Sequence, residues 1–447
     1  MSDVASDATT APPGGSIARA GVRSVTVLLI VAFVELLVTF VTARGFGAAG
    51  RGLYALASTA TTLIVTILGG VSSALANEFV HRRASARAVH AVGLLIALGG
   101  GSAIALLMVV ARWIVPDVDS LDVIALGAIA AIFGLLSGYQ QMLLNAADEV
   151  STTLSLRLLS ALAPLAVLSV AALTIPDRPL LAIAWWSVAL AFAPLCGVVV
   201  IRRRYGFDFN GARSLARRAL RSGFVISLAN GTMRAFSRVD LLVLAALAPL
   251  TAVGIYSVAI AGAESVFLLS NAVITAAFSR MLAIDDESDS QVVTVRAIRH
   301  SVLLVAVGAS VAVPAVAVFA GPVFGSGFAD VWKPLAVLVP GIVALAAIEV
   351  MRNVLFVRDS RAREFLVMAG VGLAVNGALA FALIPWLGSL GAALSSTIAY
   401  VLCAAALLGR YARRNTLGSA RAFLPGRAEF NAYVDLYRAA RRGGAAP

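Results

Sequence analysis

Apolar runs long enough to cross a bilayer recur from one end of this chain to the other, and they constrain its fold more than any motif does. On a template of about 20 apolar residues per spanning helix, about twelve segments qualify: 22–42, 53–76, 89–115, 121–145, 154–175, 179–201, 223–248, 253–280, 301–321, 334–357, 364–386 and 389–410. Soluble domains run near 45–50% apolar and about 25% charged. This chain is 60% hydrophobic and 13% charged, more apolar surface than a fold immersed in water can bury. The sequence therefore predicts an all-α membrane protein of about 12 transmembrane helices.

The charges then set the topology. Formal net charge is +12, a balance that in a soluble protein would point to nucleic acid. When alternate loops are assigned to alternate sides, most of the 35 Lys and Arg fall on the side that holds the N-terminus. Arg82, Arg83 and Arg87 lie there, as do Arg202, Arg203, Arg204, Arg213, Arg217, Arg218 and Arg221, then Arg358, Arg361, Arg363 and the Arg-rich tail. Only Arg44, Arg51, Arg112, Arg178 and Lys333 fall opposite. The positive-inside rule puts the crowded side, and both termini, in the cytoplasm, and leaves no excess charge that calls for a nucleic-acid partner. The expected organisation is a disordered N-tail (1–21), an N-lobe (22–201), a linker (202–222), a C-lobe (223–411) and a basic C-tail (412–447). In the linker, Leu215, Ala219 and Leu220 alternate with arginines as on a helix lying in the membrane interface, and the tail segment AEFNAYVDLYRAARRGG (428–444) reads alike.

Enzyme chemistry finds little footing. His81, His90 and His300 form no ligand-like cluster, so no metal site is expected. Cys196 and Cys403 lie in apolar runs and read as small core residues. No GxSxG, HExxH or Walker A pattern occurs, and no cofactor is expected. One stretch does suggest a dinucleotide: RGFGAAGRGLY (44–54) places Gly45, Gly47 and Gly50 in the pattern G-x-G-x-x-G. That fingerprint needs a short strand before it and an acid about 20 residues after it. Here the preceding run is too long for a strand, and no Asp or Glu occurs between Glu35 and Glu78. The match therefore needs another explanation.

Six spans precede the linker and six follow it, and the halves echo each other. GLYALASTATTLIVTILGGVSSALANEF (52–79) aligns with GIYSVAIAGAESVFLLSNAVITAAFSRM (254–281), matching Gly52 with Gly254, Tyr54 with Tyr256 and Ala57 with Ala259. An even number of spans per half makes equivalent helices run the same way. The expected fold is thus two six-helix lobes related by a parallel repeat about an axis along the membrane normal. Pro164, Pro194, Pro314 and Pro340 lie inside spans, as bent transporter helices or ordinary kinks would have them.

The segments FGAAGRGLYALA, SRVDLLVLAALAPLTAVGIYSVAIAGAESVFLLSNAVITAAFSRM and GSLGAALSSTIAYVL resemble the multidrug/oligosaccharidyl-lipid/polysaccharide exporter superfamily, and within it the polysaccharide (O-antigen type) flippases. A short outer loop of the form G-x-x-G-x-G-x-Y commonly joins the first two helices of that branch, and Gly47, Gly50, Gly52 and Tyr54 match it. The resemblance spans roughly residues 20–411. It implies two lobes around a central cavity that opens to either side in turn, in the plasma membrane, without covalent catalysis. It also implies an undecaprenyl-diphosphate-linked oligosaccharide as substrate, and membrane lipids and other polysaccharide-assembly proteins as partners. The alternative on the same scaffold is a cation-coupled multidrug antiporter. A glycan polymerase or ligase would need a large extracytoplasmic loop, and the assigned spans leave none.

Ionisable groups at bilayer depth cost about 2.5–3.5 kcal/mol each and need a partner or a water-filled cavity. Glu35, Arg234, Arg238, Asp240, Glu264, Glu349 and Arg352 stand at such depth. Glu349 and Arg352 can pair along one helix, Arg238 and Glu264 can pair across the turn at Pro249, and Asp240 fits a position near the outer interface. Arg234 and Glu35 lack an obvious partner; the residue expected at Arg234's depth on the next helix is Phe267. Arg234 and Arg238 share a helix face, a fork suited to diphosphate oxygens, so Arg234, Arg238 and Arg352 are the substrate-binding candidates. Glu35 is the candidate for ion coupling, with pairing to an arginine across the lobes as the other reading.

Overall fold

A computed structural model describes residues 14–82, 84–114, 120–284, 287–355, 361–415, 417, 420–427, 429–431, 433–435 and 438. Among these no strand occurs. The helices are α1 (Gly14–Val80), α2 (Ala86–Ile114), α3 (Ser120–Ala146), α4 (Val150–Thr174), α5 (Pro179–Ala189), α6 (Phe192–Arg204), α7 (Ala212–Phe236), α8 (Val239–Leu247), α9 (Leu250–Ala283), α10 (Glu287–Phe324), α11 (Trp332–Asn353), α12 (Ala362–Leu387) and α13 (Ser389–Arg414). Ten stretches of the described residues are long and apolar enough to span a membrane. One of them, Thr26–Val80, holds 55 residues. At 1.5 Å per residue that is about 80 Å of helix, enough for two crossings. The pair α7–α8 adds a pass whose arginines hide it from a hydropathy scan. The expected twelve crossings are thereby accounted for, as an all-helical membrane protein.

The turn inside α1 is tighter than the sequence suggested. Gly47 alone leaves helical geometry, at φ 66° and ψ −173°, a conformation that only glycine adopts without strain. The chain reverses there: Arg51 Nη1 donates to Thr42 Oγ1 at 2.9 Å, whereas nine residues of unbroken helix would separate the two by about 13 Å of rise. Gly50 and Gly52 are not turn residues; both lie within helix.

Gly52 serves a different purpose. A Cβ on Gly52 would stand 2.2 Å from the Leu250 carbonyl oxygen, and one on Gly254 would stand 1.8 Å from that of Ala48. The second arm of α1 and the start of α9 therefore cross backbone against backbone. The contacts are reciprocal under the sequence repeat, since Gly52 corresponds to Gly254 and Leu250 to Ala48. A two-fold axis between the lobes demands that reciprocity, because each equivalent must meet the other's partner.

At the opposite end of the bundle, where the linker lies, the sequence reading needs a correction. The second half of the linker is the start of α7, and of its apolar residues only Leu220 is exposed. Leu215 and Ala219 are buried against Val71, Leu75 and Val89 of the N-lobe helices, and Arg218 Nε reaches Glu78 at 3.3 Å. The described part of the C-tail docks on the bundle, with Phe423 buried and Arg299 bonded to the Ala422 carbonyl (2.7 Å) and to Glu429 (3.0 Å); most of segment 428–444 lies outside the described residues. Outside the spans, the Arg204 guanidinium and the Thr152 hydroxyl hold the Glu149 carboxyl below its ordinary range. The apolar side chains Leu173, Phe319 and Trp386 point outward, the surface a lipid solvent requires.

The crossing of Gly52 and Gly254 makes a direct stability test. Gly254→Ala drives a methyl into backbone and should destabilise the protein by about 1–3 kcal/mol, lowering its melting temperature in detergent. Gly69→Ala, on the same helix as Gly52 and with nothing within 4 Å of its added methyl, should leave that temperature unchanged or raise it.

Candidate functional site

The pass formed by α7 and α8 is broken. Helix α7 ends at Phe236 and α8 begins at Val239, without a proline at the junction. A break inside a membrane exposes backbone groups that must find partners. Here the Phe236 carbonyl accepts from Asn376 Nδ2 (3.1 Å), the Arg234 carbonyl accepts from Ser237 Oγ (3.0 Å), and the Leu241 N–H donates to Asp240 Oδ1 (2.8 Å). The break sets Arg234 in the last turn of α7 and makes Arg238 the N-cap of α8, so two guanidiniums flank it.

Both open onto a cavity of about 570 Å³ between the lobes. The N-lobe supplies Glu35, Thr39, Arg51, Ser58 and Thr62 from the two arms of α1, and the C-lobe supplies Arg234, Arg238, Ser257 and Glu264. A second space of about 290 Å³ shares Arg234, Arg238 and Glu264 and continues into the C-lobe to Asp240, Glu349, Arg352 and Tyr400. All three substrate-binding candidates and the ion-coupling candidate thus line one connected region, with Arg352 at its C-lobe extremity.

The pairing within it differs from the sequence reading at Arg234. Glu264 bonds to Arg238 and also lies 3.9 Å from Arg234 Nη1. Arg234 therefore has a carboxylate neighbour, where the sequence offered Phe267. Side chains of α9 rotate by about 100° per residue, so depth alone did not fix which one faces α7. The neighbour is loose, because Arg234 Nε is buried with no hydrogen-bond partner among the described residues. The Glu264 side chain is 54% exposed to the cavity. Glu349 and Arg352 pair along α11 at 2.6 Å as expected. Glu35 faces the cavity and makes no ion pair among the described residues. Among the described residues Glu35 pairs with no arginine of the other lobe.

Asp240 is buried, at 2% exposure. Its carboxylate accepts from the Tyr256 hydroxyl and from Ser396 Oγ (2.7 Å), and Ser396 also receives Asn376 Nδ2 at 3.2 Å. Among the described residues no group of His, Cys, Asp or Glu is arranged to hold a metal ion.

Arg51 is the residue that sequence reasoning missed, having been assigned to an outer loop. It is 6% exposed, donates from Nε to Ser257 Oγ across the lobes (3.0 Å) and from Nη1 to Thr42, and stands over the Tyr54 ring at 5.3 Å. The sequence carried one clue: Arg51 immediately precedes the repeat at Gly52, where the lobes cross. It lines the cavity at the Gly47 end.

The fold defines the class. The chain superposes on a lipid II flippase, MurJ, in an inward closed conformation, with TM-score 0.68, 13% identity and coverage of 87% of both chains. It also matches a multidrug resistance MATE family transporter of the MOP superfamily in an inward-facing conformation (TM-score 0.65, 15% identity, 89% of this chain and 99% of that one). A MOP superfamily transporter from Pyrococcus furiosus matches at TM-score 0.53 and 16% identity, over 90% of this chain and 96% of that one. A search of curated protein sequences finds no significant match. The architecture is that of a multi-pass membrane protein with the fold these structures share. Within that class, a family model described as polysaccharide biosynthesis protein matches residues 19–278, more than half of the chain, and the chain belongs to that family.

The bond from Arg51 to Ser257 joins the lobes, and its acceptor can be tested. Ser257→Ala should leave a buried charged donor unsatisfied and cost about 1–3 kcal/mol, read as a lower melting temperature. Ser58→Ala, whose hydroxyl bonds only within its own helix at Ala55, should be near neutral.

Proposed function

We propose that this chain flips a diphosphate-linked lipid oligosaccharide, of the undecaprenyl type, between the leaflets of the plasma membrane, with the linker end of the bundle and both termini in the cytoplasm. The observation that carries the reading is the pair Arg234 and Arg238 flanking the α7–α8 break in a cavity between the lobes. Two planar guanidiniums match the oxygens of a diphosphate, and the low dielectric strengthens the attraction. Glu264 acts as a stand-in anion. It neutralises the arginines while the cavity is empty, and the diphosphate displaces it on entry, so the empty site never carries two bare charges at bilayer depth. The glycan occupies the polar space toward Thr39, Ser58 and Thr62. The rocking of the lobes about the Gly52–Gly254 crossing then exposes the cavity to the other side. Glu35, in the same cavity without an ion pair, carries the coupling ion.

A cation-coupled antiporter is the second reading, favoured by the two carboxylates Glu35 and Glu264 in the cavity. Three arginines share that space, and their net repulsion of cationic drugs weighs against it.

Flipping of a diphosphate-linked glycan in reconstituted vesicles separates these. Arg234→Ala should abolish it with the protein still folded, and Arg234→Lys should keep part of it, since the charge survives without the fork. Glu264→Gln should hold the substrate more tightly and turn over more slowly. Glu35→Gln should flip without dependence on the ion gradient. Wild-type flipping by Arg234→Ala, or export of a cationic dye in place of the glycan, would contradict the proposal.

A further inference from the structure

A second basic site lies apart from the central cavity, where α11, α12 and α13 meet at the linker end of the C-lobe. It is a pocket of about 390 Å³. Arg361, Arg410 and Arg414 converge on it around a single acid, Glu364, with Met351, Leu355 and Leu407 as an apolar floor. Glu364 is only 18% exposed and is held by Arg414 Nη1 at 2.6 Å and by Arg410 Nε at 3.3 Å. The Arg361 guanidinium makes no hydrogen bond or ion pair among the described residues. Three guanidiniums against one carboxylate leave two positive charges in excess within one concave site. The spans Arg363–Leu387 and Ser389–Arg414 begin and end here, which sets the pocket at the level of the lipid headgroups.

We propose that this pocket binds a phosphate group, that of an anionic phospholipid in the adjoining leaflet. Guanidiniums recognise phosphate oxygens bidentately, and basic pockets between spanning helices at a membrane face are suited to anionic headgroups. The apolar floor accommodates the glycerol and the first carbons of the acyl chains. Met351 and Arg352 are consecutive on α11, the first lining this pocket and the second the central region. An occupant here therefore steadies the helix that carries Arg352 without entering the transport path. The proposal does not depend on the transported substrate.

Native mass spectrometry of the full chain in neutral detergent tests it, with phosphatidylglycerol, phosphatidylcholine and inorganic phosphate as probes. The wild type should retain one phosphatidylglycerol in preference to phosphatidylcholine. Arg361→Gln/Arg410→Gln, in which Arg414 still pairs with Glu364, should lose about tenfold of that preference. Arg202→Gln/Arg203→Gln removes the same charge from exposed positions at the same end and should keep it. Displacement of the lipid by millimolar phosphate assigns the pocket to the phosphate group itself, and retention assigns it to the whole headgroup. Undiminished preference in the first variant, or an equal loss in the second, would overturn the proposal.

Discussion

A guanidinium inside a bilayer core must meet a counter-charge, a dipole or water, and the rest of this structure is arranged around that requirement. Arg234 and Arg238 stand far from the ends of their pass, and Arg51, four residues beyond the Gly47 turn, is buried where the lobes cross. Each is satisfied differently: Arg51 by two hydroxyls and an aromatic face, Arg238 by Glu264, and Arg234 only in part, by the same carboxylate at 3.9 Å. The cavity between the lobes exists where these groups gather. A tightly packed apolar interface at the same place would strand them at several kcal/mol each.

The broken helix follows from the same logic. Ending α7 at Phe236 places its C-terminal partial negative charge beside Arg234, a favourable arrangement for a cation. The cost is a set of freed backbone groups, which Asn376, Ser237 and Asp240 take up. Asp240 in turn ties α8 to α9 through Tyr256 and to α13 through Ser396. These bonds tie the C-lobe together around the arginines, while the N-lobe touches it at the Gly52–Gly254 crossing and along the start of α7.

Much of this was legible in the sequence, for physical reasons that differ by feature. Span length and apolar composition are dictated by the bilayer, so the twelve crossings could be read directly. The repeat was legible because Gly52 and Gly254 are needed wherever two backbones cross, and symmetry repeats that need. The i, i+3 pair of Glu349 and Arg352 was legible because one helix fixes it. What the sequence concealed depends on rotation and on tertiary neighbours. The face that Glu264 turns to Arg234 needed the true orientation of α9. The burial of Asp240 needed Ser396, 156 residues away. Arg51 counted as a loop charge because one glycine, Gly47, makes the whole turn, so the following residues are already helix. Leu215 and Ala219 carry an amphipathic pattern that suits a lipid interface as well as it suits the N-lobe they pack against.

The central claim is that Arg234 and Arg238 receive the diphosphate and that Glu264 yields to it. An experimental structure of the full chain with a short-chain prenyl diphosphate-linked sugar tests this most directly. The account predicts both phosphates between the two guanidiniums, within about 3 Å hydrogen-bond distance, with Glu264 turned away from Arg238. Phosphates bound elsewhere, with the Arg238–Glu264 pair intact, would contradict it.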